Sequence, residues 1–135
     1  MMNSLGFKNP KRLLSEWAAC QPILIDIVFW MLDNVWPAGT LALVSCIWRN
    51  YEENEAAGAK TAVHCAKPHR AIDFSLRGID AAAADHLAGA INEYWAYDPT
   101  RPTKVVAYVH DAGSGVHLHL QCHTNTAVRN QQTTV

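Results

Sequence analysis

The chain has 135 residues, enough for one hydrophobic core and too few for two ordinary domains, so a single domain over 1–135 is expected. A formal net charge of −1 with 17% charged residues supplies no long-range field for nucleic acid or an anionic membrane, which directs the search for a partner to a local site. Half of the residues are hydrophobic and five are tryptophan, ample for a core and for aromatic walls around a pocket.

The N-terminal stretch carries lysines and an arginine, but no apolar run or cleavage site follows them, so no signal peptide is expected. Pro10 can open a helix, and Leu13, Leu14, Trp17 and Ala18 recur at helical spacing up to about Ala19. Ile23 to Leu32 is apolar on nearly every side except at Asp26 and stops at Asp33-Asn34, which reads as a buried helix with a strand as the alternative. The apolar region from Pro22 to Trp48 is interrupted by Asp26, Asp33, Asn34, Pro37 and Gly39. No run reaches the ~18 residues of a spanning helix, and no membrane insertion is expected. Thr40 to Trp48, rich in Leu, Val and Ile, suits a central strand with Arg49 at its exit. Tyr51 to Lys60 is polar and acidic, a surface loop or short helix.

Ala71-Ile72-Asp73-Phe74 is apolar enough for a strand. Asp80 to Trp95 combines a capping aspartate, a run of alanines and an apolar face at Ala84, Leu87, Ile91 and Tyr94. Lys104 to His110 and Val116 to His123 then form two strands joined by a glycine-bearing connection, and the polar tail from about 126 is expected to fray. The sum is an α+β domain: N-terminal helices, a small antiparallel sheet, and one helix between the strands that carry the candidate ligands. Cys20, Cys46, Cys65 and Cys122 show none of the short pairings of a zinc knuckle and are expected to be reduced thiols.

The chemistry concentrates in two places. Residues two apart on a strand share a face, so His117 and His119 point to one side and Leu118 and Leu120 to the other. If the hairpin pairs Asp111 with Val116, His110 faces His117 and Tyr108 faces His119, and three imidazoles and a phenol line one patch. The second place is Val63 to Phe74. A catalytic zinc takes three protein ligands from histidine and carboxylate, and His64 or His69, Asp73 and His119 supply such a set. An unpaired carboxylate in an apolar strand is costly; a metal satisfies Asp73, as would an ion pair with Arg70 or Arg77.

A histidine, Arg70-Ala71-Ile72-Asp73, a helix and a hairpin ending in His117-Leu118-His119 together resemble the zinc peptidases that include D-alanyl-D-alanine carboxypeptidases, L-alanyl-D-glutamate endolysins and lysostaphin-type enzymes, whose fold Hedgehog domains share. Trp48 to Thr126 is similar to small phage or prophage members of the carboxypeptidase-like branch. The resemblance implies zinc on His64, Asp73 and His119, with His69 as the alternative first ligand, His117 as the catalytic base and Arg49 reaching for a substrate carboxylate. It further implies that peptide bonds of peptidoglycan stems or cross-links are cut. Synthesis would be cytoplasmic, with access to the wall through a lysis pore or a virion. Two departures are evident: His64 and Asp73 are nine positions apart where the branch has seven, and Val116 replaces the branch's glutamate. A non-catalytic, metal-stabilised binding or structural module of the same fold is the alternative these departures favour.

Overall fold

A computed structural model describes residues 3–111 and 115–129. It is an α+β domain with a mixed sheet of five strands and four helices. In chain order these are β1 (Leu5–Phe7), α1 (Pro10–Ala18), α2 (Pro22–Asn34), β2 (Ala42–Cys46), α3 (Tyr51–Ala56), β3 (Ala71–Ser75), α4 (Ala81–Tyr94), β4 (Trp95–Ala96), β5 (Ala107–Asp111), β6 (Val116–Gln121) and β7 (Ala127–Val128). The sheet order is β1-β2-β3-β6-β5. All neighbours are antiparallel except β1 and β2. The wholly antiparallel sheet expected from the sequence is therefore corrected: Leu5–Phe7 adds a parallel edge strand. Three residues with Gly6 at their centre carry too short a pattern to announce it.

The helices form where the sequence places them. Pro10 opens α1 at its first turn, where a missing N–H costs nothing. Pro22 does the same for α2, which is a helix and not the strand alternative; Leu24, Ile27, Val28, Met31 and Leu32 form its buried stripe. Its surplus apolar side chains meet aromatic partners: Phe29 sits edge-on to Trp17, and Trp30 stacks on Tyr94 at 4.3 Å between ring centroids. The Asp80 carboxylate caps α4 by accepting from the Ala83 N–H at 2.8 Å. Trp95 and Tyr97 join the core, and the exposed Tyr94 stacks on Trp30.

The core lies on one face of the sheet. Val44, Ile72, Phe74, Leu118 and Leu120 project into it and are fully buried, together with Leu24, Ile27 and Met31 of α2 and Ile91 of α4. Alternation on the strands therefore sends Asp73, His117, His119 and Gln121 to the opposite face. All four cysteines are free thiols. The expectation of a tail fraying from about 126 is corrected in its first part, since Ala127–Val128 pairs with Trp95–Ala96. Residues 130–135 lie outside the described part. No helix among the described residues is long and apolar enough to cross a membrane.

Because Leu118 is the core residue between β3 and β5, Leu118→Ala is expected to cost about 2–5 kcal/mol in urea unfolding. Leu14→Ala, at a side chain 52% exposed, should stay within about 0.5 kcal/mol.

Candidate metal centre

The centre is a grid of side chains on the face of the sheet away from the core. One row runs across β3, β6 and β5 as Asp73, His119 and Tyr108, and the next as Ser75, His117 and His110. The hairpin register is the one expected, with Asp111 opposite Val116, His110 opposite His117 and Tyr108 opposite His119. On the other side of Asp73, the β2–β3 register shifts between Val44 and Cys46, so that Cys46 comes opposite Asp73. The chain then leaves the sheet through Ile47 and Trp48. A single turn of 3-10 helix, Val63–Cys65, brings His64 over the carboxylate.

Asp73 is the hub. It is only 2% exposed, as is His119, and His64 is 4% exposed. Nε2 of His64 lies 3.2 Å and Nδ1 of His119 2.9 Å from the same oxygen, Oδ1. The outer nitrogens of both rings are committed. A carbonyl can only accept, so His64 Nδ1–H donates to Ile47 O at 2.9 Å. Gln121 donates its amide N–H to Val105 O at 2.9 Å, which turns its Oε1 to accept from His119 Nε2–H at 3.0 Å. With those protons placed, the inner nitrogens face Asp73 with lone pairs unless each ring carries a second proton. Those inner nitrogens can bond Asp73 where a proton lies between them, or can turn their lone pairs to a cation seated there. A cation would leave both rings neutral, with the outer N–H held by an acceptor as metal-bound histidines usually have it. Imidazole and carboxylate are donor types such an ion takes, and the groups whose ligand atoms come close enough to share one are Cys46 with His64 and Asp73, and Asp73 with His110 and His119.

Burial works against the charged ring of His64, but the hydrogen bond it donates to Asp73, aided by Cys46, outweighs it and holds the pKa up at about 10. Burial likewise opposes the charge on Asp73, and the bonds from His119 and His64 overcome it, so the carboxyl sits well below the usual carboxylate range. Burial pushes the His110 ring below its ordinary value, toward the neutral form that ligates metals. In the metal-free protein, the His64 contribution to stability is thus present in full below its ordinary pKa of 6.5 and is lost as pH rises through about 10.

The remaining candidates fall as follows. Two groups have ligand atoms within 4.8 Å of one another and share Asp73: Cys46 with His64 and Asp73, and Asp73 with His110 and His119. Arg49 reaches the second oxygen of Asp73 at 3.6 Å and Asn54 Oδ1 at 3.4 Å. It takes the ion-pair role that the sequence reading offered to Arg70 or Arg77. Arg70 instead donates to Tyr97 Oη and Cys122 O. His69 stands apart, its Nδ1 against Ala66 O at 3.2 Å and its ring beside Trp48. Its N–H donates to Ala19 O, and its own carbonyl accepts from Gln21 N–H. Among the described contacts, His117 meets His110, with 6.3 Å between the rings, and not Asp73. Gln121 was missed as a functional residue, although its position two after His119 on the same strand was a usable signal.

Beside the grid opens a cavity of about 870 Å³, whose walls include Lys8, Leu43, Ser75, Arg77, His110 and His117. Its volume is that of a small-molecule or peptide pocket. No family model, curated protein or solved structure matches this chain.

Ring nitrogen NMR on the metal-stripped protein should find His64 doubly protonated at pH 8, titrating near 10. A ring that loses its proton near 6.5 would contradict the pairing with Asp73.

Proposed function

We propose that this protein is a zinc-dependent peptidase acting on stem or cross-link peptides of bacterial peptidoglycan. The observation that carries the reading is the meeting of His64 Nε2 and His119 Nδ1 on one buried oxygen of Asp73, beside a cavity large enough for a peptide. A divalent ion held there supplies Lewis-acid polarisation of a carbonyl and lowers the pKa of water.

The protein's own groups do the rest. Ile47 O and the Gln121 amide hold the two imidazoles in the tautomers that turn lone pairs to Asp73. The Arg49 guanidinium, only loosely against Asp73 at 3.6 Å, opens onto a separate cleft beside Cys46 and Trp48, where its remaining N–H donors could take a carboxylate. His117, half-buried and lining the cavity, would be the imidazole to accept a proton and hand it to a leaving amine.

Zinc analysis should find about one ion per chain in the wild type and a stoichiometric loss in His119→Ala. Hydrolysis of purified cell-wall peptides should fall about 10²–10⁴-fold in His117→Ala with the zinc retained. Metal retained in full by His119→Ala would sink the ligand assignment.

The depth of the ligands favours a second reading, a non-catalytic module in which the ion only stabilises the fold. Asp73 and His119 are as buried as core residues, and His117 turns to His110. That reading expects zinc to raise the melting temperature while no wall peptide is cut under any metal.

A further inference from the structure

His110 has no part in the reading above, although it stands beside the same carboxylate. We propose that His110 is a ligand of a cation seated on Asp73, sharing it with His119. The inference rests on the Asp73 cluster being a cation seat, and it holds whether or not a peptide is cut.

Three observations carry it. On β5, His110 faces His117 and lies diagonal to His119, with 6.0 Å between the His110 and His119 rings. One ligand atom each from Asp73, His110 and His119 lie within 4.8 Å of one another, so small rotations bring all three within the roughly 2 Å reach of a zinc ion. Finally, His110 Nε2 is buried without a hydrogen-bond partner, the only imidazole nitrogen so left among the described residues. A buried ring nitrogen is seldom left unsatisfied in a folded protein, and a bond to a cation answers the need.

Cys46 with His64 and Asp73 meets the same distance condition, but Cys46 Sγ lies 3.8 Å from His64 Nδ1, a nitrogen already engaged by Ile47 O, whereas His110 Nε2 has no partner. Asp73, His110 and His119 give two imidazoles and one carboxylate, three protein ligands for a zinc ion with a fourth position open. His110 also lines the cavity, as His64, Asp73 and His119 do not.

The test is a titration of metal-stripped protein with zinc chloride against a chromophoric chelator, using wild type, His110→Ala and, as a control on exposed α4 surface, His86→Ala. The expected result is an affinity lowered about 10–100-fold in His110→Ala and unchanged in His86→Ala. Equal affinity in wild type and His110→Ala overturns the proposal. Should His110→Ala fail to fold, the wild type loaded with cadmium-113 decides: scalar coupling from the ion to a His110 ring nitrogen supports ligation, and its absence overturns it. A wild type that binds no zinc removes the cation seat itself, a failure visible in the wild-type titration alone.

Discussion

A carboxylate in the second strand of three that build the centre of the sheet, 2% exposed, must be neutralised in place, and the arrangement around Asp73 follows from that need. Two imidazoles meet on one of its oxygens and a guanidinium approaches the other. Each of the three comes from a different segment: the exit of β2, the turn at Val63–Cys65, and β6. The charge therefore ties together parts of the chain that apolar packing alone would leave loosely related. The hydrophobic core lies on the opposite face and orders the strands without contributing to the site.

The surroundings hold the two imidazoles more tightly than charge alone requires. Gln121 is itself clamped to Val105 O and so presents an oxygen, not an amine, to His119. On the other side, Arg12 of α1 donates to Glu53 in α3 and to the Trp48 carbonyl, which pins the segment that places Ile47 and Arg49. The Asn50–Glu53 capping box starts α3 directly after Arg49 and sets its direction. These contacts give the rings fixed tautomers, and fixed tautomers separate a ligand set from a solvated group of histidines. The same rigidity suits a structural ion as well as a catalytic one, which is why the cavity and His117, and not the ligands, decide between enzyme and module.

Much of this was legible in the sequence. The period-two run from Val116 to Gln121 and the glycine-bearing connection set the hairpin register that places Tyr108 and His110, because a shift by one residue would turn Leu118 and Leu120 out of the core. Alanine propensity and the Asp80 cap made α4 readable in the same way. Three features were not legible. The bulge that sets Cys46 opposite Asp73 depends on pairing between strands separated by a loop and a helix. The partner of Asp73 proved to be Arg49, far in sequence, and not Arg70 two residues before the adjacent position, because alternation and the Tyr97 hydroxyl draw Arg70 elsewhere. The parallel edge strand Leu5–Phe7 is three residues long and rests on its neighbour, not on a pattern of its own.

Everything proposed here requires a cation on Asp73. The most direct measurement is zinc-edge anomalous scattering from crystals of the zinc-loaded protein. A single strong peak bonded to Asp73, His110 and His119 at about 2.0–2.2 Å is the predicted result. No peak at Asp73, with both imidazoles still hydrogen-bonded to the bare carboxylate, would contradict the account and make the cluster a buried ion network.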